Sequence, residues 1–420
     1  VAYRHVIRPD LSDVSVRGSV SKIWGHRPSC YYLEGVQTAY SESGGSPFIA
    51  SVQADFKQKF KAGMLTAGAK LTYRSNDIYH QFYEGGEYSD AFSNDLLHTE
   101  LIPAAYVLFS SKIGKKFTYK AGLRGEFSTV TLTSSHEGLD VRNNDFFVSP
   151  SLSGTLRLAE NQELSLAFSR RVGRPAYPQL NPYMSMVDAT TYEQGNMHLR
   201  PEKSSKLDLS YNFKSRKVQV FADAYMNYTT DYISQITKIS DGLLITTYIN
   251  GTSDLKTGAD LSLKLVPAKW MSATLSANTF YVNTKGNFEG ADIDNRGVSN
   301  NSNILLDFLP GKSTDIQLQY FLTTPQYYPQ LTTALTHYMN VGVKQKFLKG
   351  AMSVSVLLTD VFNTYKWQVE SRNSIFQLTN ISTRKSRMLW LGISYNFNSF
   401  KQKKAESKAD SDRSLIKLGL

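Results

Sequence analysis

The sequence predicts an all-β fold, a transmembrane antiparallel up-and-down β-barrel with about 16 strands in this chain. Three observations predict it: side chains alternate between apolar and polar, short and long connections alternate along the chain, and aromatic residues are abundant. Tyr 25, Phe 22 and Trp 4 stand beside only 13 Pro in 420 residues, and this mixture favours strands. A period of two is the signature of a strand with one apolar face.

The alternation is clearest around residue 210, where Leu207, Leu209 and Tyr211 alternate with Asp208 and Ser210. Fifteen such strands can be assigned between residues 47 and 398, and a sixteenth around residues 13–21. The same split recurs at residues 117–128, 315–322 and 389–397.

The connections between these strands alternate in length. The short ones are residues 57–62, 112–116, 159–162, 214–217, 266–270, 309–313 and 346–349. The long ones are residues 76–97, 131–145, 174–203, 285–297, 325–336 and 362–385. One exception is the tight Asp241-Gly242 pair, a strong hairpin signal between two long strands. Short turns at one rim and long loops at the other are typical of outer-membrane barrels, with the short turns and the C-terminus on the periplasmic side.

Other membrane and β folds explain the sequence less well. The longest apolar run, residues 102–109, has eight residues, whereas a membrane-spanning helix needs roughly 18 to 20. A soluble sandwich would not require alternating loop lengths, and a propeller would repeat similar sequence every ~40 to 50 residues. The sequence shows neither the internal repeat nor irregular loop lengths.

The positive charge is distributed over the short turns. The net charge is +11, and the short turns contain 13 Lys and Arg against one acidic residue, Glu160. The first long loop, residues 76–97, instead has five acidic residues and no Lys or Arg. Basic turns beside anionic headgroups explain this distribution, so we expect outer-membrane lipid as a partner and no nucleic acid.

Motifs for enzymatic chemistry are weak. Residues 311–313 resemble the end of a phosphate-binding loop, but Leu306 stands where that motif requires Gly. Residues 292–295 suggest a calcium loop, yet Arg296 occupies a ligand position. A single cysteine and seven scattered histidines form no metal motif. We therefore expect no catalytic residue, no metal site, no cofactor and no enzymatic activity.

The outer loops carry the candidate ligand-binding residues. Aromatic rings with polar tips bind sugars, peptides or metal chelates by stacking and hydrogen bonding. They also form the interfacial girdle of any such barrel, which is the alternative explanation. The candidates are Tyr79, His80, Tyr83, Glu84, Tyr88, Tyr327 and Tyr328.

Residues 170–202 resemble the hallmark stretch of TonB-dependent outer-membrane receptors, in the version found in the outer-membrane β-barrel family. The motif residues are Arg174, Pro175, Tyr177, Leu180, Asn181, Pro182, Gly195, Asn196, Leu199, Pro201 and Glu202. Further matches are Ala104-Ala105-Tyr106, Gly122-Leu123-Arg124-Gly125-Glu126, Tyr248-Ile249-Asn250 and Thr359-Asp360-Val361-Phe362-Asn363. Met197 departs from the pattern, since the family usually has Pro there. The resemblance covers residues 47–400.

The resemblance implies a 22-stranded barrel in the outer membrane of a Gram-negative bacterium, closed by an N-terminal plug. Such a receptor takes up a scarce nutrient, such as a metal chelate, saccharide or peptide, and the TonB complex pulls on the plug. This chain shows about 16 strands and no plug, so we expect it to be the C-terminal part of a longer receptor. A surface lipoprotein or other outer-membrane subunits are further expected partners.

This interpretation divides the chain into three parts. Residues 1–46 are an N-terminal segment that contains an incomplete start of the barrel, residues 47–398 are the transmembrane barrel, and residues 399–420 are a charged periplasmic tail. The alternative is a plugless scaffold barrel that serves as a subunit of a larger outer-membrane complex.

Overall fold

The computed structural model describes residues 1–134, 140–188, 190–289, 291–372 and 377–397. Within them the chain is mostly strand, with one short α-helix, α1 (Tyr177–Leu180), and two single-turn 3-10 helices, Asp90–Phe92 and Leu348–Gly350. The strands are β1 (Ala2–Arg8), β2 (Ser12–Lys22), β3 (Gly25–Leu33), β4 (Val36–Gly45), β5 (Phe48–Phe60), β6 (Gly63–Glu84), β7 (Glu87–Tyr88), β8 (Asn94–Ile113), β9 (Phe117–Ser134), β10 (Val141–Ala159), β11 (Gln162–Gly173), β12 (Met184–Met186), β13 (Thr191–Gln194), β14 (Glu202–Lys214), β15 (Val218–Ser240), β16 (Leu243–Ala268), β17 (Met271–Phe288), β18 (Ala291–Phe308), β19 (Thr314–Thr323), β20 (Thr332–Thr333), β21 (Thr336–Phe347), β22 (Met352–Thr359), β23 (Trp367–Arg372), β24 (Gln377–Ser382) and β25 (Met388–Tyr395).

Seventeen of these strands form one antiparallel wall, in which sequence neighbours pair with each other. The wall order is β1, β2, β5, β6, β8, β9, β10, β11, β14, β15, β16, β17, β18, β19, β21, β22 and β25. The fifteen strands predicted after residue 47 and the sixteenth, β2, are confirmed. The first strand, β1, was not predicted. Within the described ranges, β1 pairs with β2 alone and β25 with β22 alone.

The two faces of the wall differ in polarity as the alternation predicts. On β14, Leu207 and Leu209 are 42% and 47% exposed and point outward. Ser210, on the opposite face, donates a hydrogen bond to Asp223 Oδ1 of β15 at 2.7 Å. Apolar side chains facing outward and polar side chains facing inward are the arrangement of a wall embedded in lipid. In the part of the chain that the structure describes, no helix is long and apolar enough to cross a membrane.

At the rim of long loops the strands are longer than the sequence predicts, and several predicted loop bounds were wrong. Residues 76–97 were expected to be a loop, but β6 continues to Glu84 and pairs with β8 down to His80 opposite Asn94. The strand continues there because β4 and β8 both pair with the end of β6. The predicted Asp241-Gly242 turn is present, with φ of 51° and 77° at its two residues.

Among the described residues, five connections at this rim carry strands of their own, and two of them contribute a single short strand each, β7 and β20. The β3–β4 hairpin joins β2 to β5 and pairs along the outer end of β6, from Ala39 opposite Glu84 to Gly45 opposite Ile78. The loop at residues 174–201, here called the motif loop, contains α1, β12 and β13, and β13 pairs in parallel with β16. The last connection contributes β23 and β24, which form a small sheet with β20. The predicted tail at residues 399–420 lies outside the described residues.

Candidate functional site

The motif loop begins at a buried ionic cluster on the inner face of the wall. Arg174 Nε donates a hydrogen bond to Glu100 Oε1 at 2.7 Å, and Arg74 Nη1 donates to Glu100 Oε2 at 2.9 Å. Ser128 Oγ donates to the same carboxylate at 3.1 Å. Glu100 is 3% exposed. Its negative charge therefore has two cationic partners and a hydroxyl donor, as a buried charge requires.

An apolar cluster holds the loop against the wall. Leu180, Met197 and Leu199 from the loop pack with Leu96 of β8 and Leu132 of β9. All five are at most 4% exposed. Removing this much apolar surface from water fixes the loop to the inner face. Met197 belongs to this cluster, so the residue that departs from the family pattern fills apolar volume.

A close backbone approach explains the Gly-Asn pair of the motif. A Cβ on Gly195 would lie 2.5 Å from the carbonyl oxygen of Asn181 and 2.6 Å from its nitrogen. Only glycine fits there. Next to it, the Asn196 backbone donates to Gln179 O at 2.7 Å, and Asn196 Nδ2 donates to Tyr248 O of β16 at 3.0 Å. The pair therefore ties the two halves of the motif loop to each other and to the wall.

Two further hydrogen bonds hold the motif loop, one within the loop and one at its end. Gln194 Nε2 donates to the carbonyl oxygen of Pro182 at 2.8 Å, which joins β13 to the segment before β12. At the end of the loop, Glu202 Oε2 accepts a hydrogen bond from the Ile233 backbone at 3.3 Å. These bonds make the motif loop a fixed part of the barrel mouth.

A cavity of about 210 Å³ lies beneath the start of the motif loop. Pro175, Tyr177 and Pro201 line it together with His98 and the ionic cluster. The Tyr177 ring stands edge-on to His98, with centroids 4.8 Å apart. Burial raises the pKa of Tyr177 above its ordinary value, so its hydroxyl remains protonated and available as a donor.

A larger cavity, of about 490 Å³, lies between the β3–β4 hairpin, the ends of β6 and β8 at the rim of long loops, and the motif loop. We call it the mouth cavity. Two of the predicted ligand-binding residues, Tyr79 and His80, line it. Tyr177 and Asn181 of the motif line it as well. The structure thus brings part of the predicted aromatic set and part of the family motif to one space.

Three residues that line the mouth cavity have buried polar side-chain atoms without a protein partner. Both side-chain amide atoms of Asn94, Oδ1 of Asn76 and Nε2 of His80 have none. These residues are 5%, 4% and 7% exposed. The other ring nitrogen of His80, Nδ1, is 2.8 Å from Ser43 Oγ. Buried polar groups are almost always satisfied in folded proteins, so unsatisfied ones lining a cavity indicate a place for a polar ligand or water.

The other residues predicted on the first outer loop lie at the tip of the β6–β7 hairpin and do not line either cavity. The rings of Tyr83 and Tyr88 meet edge-on, with centroids 5.6 Å apart. Tyr88 is 53% exposed and Glu84 is exposed. This tip faces solvent beyond the mouth cavity.

Tyr327 and Tyr328 lie on the β19–β21 connection and are also outside both cavity linings. Tyr327 forms an isolated bridge with Thr332 and packs against Gly297 of β18. The carbonyl of Tyr328 accepts a hydrogen bond from Asn295 Nδ2 at 2.6 Å. Both tyrosines therefore stabilise their own connection.

The residues that sequence reasoning missed are Asn76 and Asn94. The signal was present, because Asn94, His98 and Glu100 follow a period of two and therefore share one face of β8. Sequence alone did not show that this face of β8 lies beside the β3–β4 hairpin, with which it lines the mouth cavity. Among the described ranges, no group of three or more His, Cys, Asp or Glu is arranged to hold a metal ion.

Three solved structures with a similar fold are named as transporters or uptake receptors. The copper transporter OprC superposes with a TM-score of 0.67 at 11% identity, over 94% of this chain and 66% of its own. The ferric citrate transporter FecA gives 0.66 at 12% identity, over 93% of this chain and 60% of its own. The ferric yersiniabactin uptake receptor FyuA from Yersinia pestis gives 0.61 at 14% identity, over 92% and 58%. This chain therefore spans less than two thirds of their lengths.

No curated protein matches the sequence. A family model does match it, over residues 34–395. The resemblance predicted from residues 170–202 is thereby confirmed at the level of the family. This chain belongs to the outer membrane protein beta-barrel family.

Proposed function

We propose that this chain is the barrel portion of a TonB-dependent receptor that takes up a scarce nutrient across the outer membrane. The observation that carries the proposal is the mouth cavity, where the motif loop meets unpartnered buried polar side chains of β6 and β8. A concave site with a few convergent polar groups is the usual form of a ligand site. Its position at the rim of long loops supports capture on the outer side, because long loops face outward in barrels of this kind.

The proposal includes the parts that the family resemblance implies. Upstream strands would complete a 22-stranded barrel, and a plug would connect its lumen to the TonB complex. Among the described residues, the lateral edges of β1 and β25 pair with no strand besides β2 and β22, which supports this. The lengths of the neighbouring chains, of which this chain spans 58% to 66%, support it as well. The short turns and the C-terminus would face the periplasm.

The fixed motif loop supports a receptor because it gives the mouth a defined shape. Glu100, Leu96 and Leu132 of the wall hold it by ionic and apolar contacts. A rigid element beside a cavity positions ligand groups without the entropic cost of ordering a loop on binding. A surface lipoprotein or another subunit would dock on the outer hairpins.

Deletion of the gene tests the proposal. We expect a growth and uptake defect for one nutrient class under scarcity, equal in size to the defect caused by loss of the TonB complex. Complementation with the intact gene is the control. Unchanged uptake of every nutrient tested, together with loss of a co-purifying membrane complex, would establish the scaffold alternative instead.

A further inference from the structure

We propose that the mouth cavity binds an uncharged, polyhydroxylated ligand, a neutral oligosaccharide. This inference rests on the proposed function, because it names the class of nutrient that the barrel mouth captures. Size, hydrogen-bonding capacity, aromatic surface and charge each support it.

The cavity has the size and the construction of a ligand site. Its volume of about 490 Å³ lies within the range of roughly 300–1,000 Å³ typical of small-molecule sites. Its walls come from three separate elements, represented by Ser41 of β4, Asn94 of β8 and Tyr183 of the motif loop. A ligand there would touch the hairpin, the wall and the family motif at once.

The unpartnered atoms match hydroxyl groups. Asn94 offers an amide donor and an amide acceptor, and Asn76 offers an acceptor. His80 has one free ring nitrogen, since its other nitrogen is engaged with Ser43. A sugar hydroxyl donates and accepts at the same oxygen, so several hydroxyls on one ring satisfy this mixed set. A ligand with acceptors alone would leave the Oδ1 atoms of Asn76 and Asn94 unpaired, which is costly in a buried site.

Aromatic rings supply the apolar surface that a sugar ring also needs. Tyr79, Tyr177 and Tyr183 line the cavity. The Tyr79 hydroxyl is 3.0 Å from His26 Nδ1, a contact that orients its ring. Tyrosine combines an apolar face with a polar edge, which suits a ligand whose C–H faces and hydroxyl edges are both exposed.

The charge balance argues against a charged ligand. The described residues that line the cavity include one cationic side chain, Arg27, and one anionic side chain, Glu193. Arg27 is exposed, and the Glu193 carboxylate accepts a hydrogen bond from the Tyr248 hydroxyl at 2.7 Å. An anionic metal chelate would enter without a buried cationic partner, and burying an unpaired charge is unfavourable. A peptide would bring two charged termini to the same neutral space.

The first test is binding by the full-length protein purified from outer membranes. The probes are an array of neutral oligosaccharides, with ferric citrate and an uncharged-side-chain tripeptide as the competing classes. The oligosaccharide that binds most tightly on the array is then titrated by calorimetry into the wild-type protein and into the Asn94→Leu variant. We expect binding by at least one neutral oligosaccharide and a loss of roughly tenfold or more in affinity for the variant, because each lost hydrogen bond to a buried group weakens binding.

The choice of leucine separates binding from folding. The Asn94 amide has no protein partner, so an apolar side chain of similar volume should keep or raise the melting temperature. Asn303→Leu is the matched control: its Oδ1 atom is also unpartnered, but it lies on β18 outside the mouth cavity. If Asn94→Leu folds poorly, Asn76→Leu replaces it.

Two results would overturn the inference. One is the absence of any oligosaccharide binding on the array. The other is oligosaccharide binding that neither cavity variant weakens. Binding of ferric citrate or the tripeptide that depends on Asn94 would assign the cavity to that class instead, and the uptake defect expected under the proposed function would still stand.

Discussion

Arg174 Nε and Glu100 Oε1 lie 2.7 Å apart, although the two residues are 74 positions apart in the chain. Their side chains are 16% and 3% exposed. Arg74 shares the same carboxylate, so the first residue of the motif loop is fixed to two wall strands by one buried charge. The hallmark arginine therefore acts as an anchor for the loop.

Replacing Arg174 with Met should loosen the loop. The long apolar side chain fills part of the volume but leaves Glu100 with one cationic partner in a buried position. Breaking a buried ion pair from one side costs about 3–5 kcal/mol, and we expect the upper value only if Arg74 cannot compensate. Thermal unfolding in detergent measures the loss, and limited proteolysis measures cleavage within residues 174–201.

Arg157→Met is the matched control for that substitution. Arg157 pairs with Glu163 at 3.3 Å, with side chains 58% and 40% exposed. Exposed pairs contribute about 0–1 kcal/mol, so this variant should unfold near the wild-type temperature. Equal effects of the two substitutions would contradict the anchoring role of Arg174.

The wall strands could be predicted because period two is a local signal. Leu207 and Leu209 show the outward face of β14 without any knowledge of β15. The loop bounds could not be predicted, because strand ends that do not contact lipid have no apolar face. Aromatic and polar residues are mixed on both faces there, so the sequence does not show where the strand ends. There the strand continues only because a neighbour pairs with it, as β6 pairs with β8 as far as His80.

The candidate site was predicted only in part, for a related reason. Tyr79 and His80 could be predicted because rings with polar atoms are common ligand-binding side chains. Asn76 and Asn94 are ordinary residues until β4 pairs with β6 and the fold leaves both buried in the lining of the mouth cavity. That burial depends on contacts between segments distant in the chain, which alternation along one strand does not reveal.

Gly195→Ala should displace the centre of the motif loop. The added Cβ would lie 2.5 and 2.6 Å from backbone atoms of Asn181, and backbone cannot rotate away as a side chain can. Overpacking of this kind costs about 1–3 kcal/mol. Thermal unfolding should show a lower melting temperature for this variant. The control Gly311→Ala should melt at the wild-type temperature, since nothing lies within 4 Å of a Cβ at that position. If Gly195→Ala unfolds at the wild-type temperature, the close approach does not constrain the loop.

The carboxylate of Asp360 makes the connection after β22 sensitive to acid. Burial alone would raise the pKa of Asp360, but hydrogen bonds from Ser386 Oγ and from the backbone N–H groups of Thr364 and Tyr365 lower it below its ordinary value. A carboxyl whose pKa is lower in the folded state stabilises the fold above its unfolded pKa of about 3.9. That contribution is lost as the pH falls through the folded pKa.

Asp360→Asn tests this dependence. At pH 7 the variant should melt below wild type, and the difference between the two should shrink as the pH falls below about 4. Asp10→Asn, at an exposed turn, should leave the melting temperature unchanged across the series. A constant difference between Asp360→Asn and wild type from pH 7 to pH 3 would show that the carboxylate charge is not what stabilises the connection.

A charge on the outer face of the wall tests its lipid exposure directly. Leu209 is 47% exposed on β14, and three residues further along the strand Asn212 lies on the opposite face, paired with Phe221 of β15. Arg on the lipid face of a barrel costs about 2–4 kcal/mol near the bilayer midplane, whereas lumen positions tolerate charge. Leu209→Arg should therefore reduce the amount of folded, heat-modifiable protein in outer membranes, while Asn212→Arg should not. If Asn212→Arg impairs assembly and Leu209→Arg does not, the two faces of the wall are assigned in reverse.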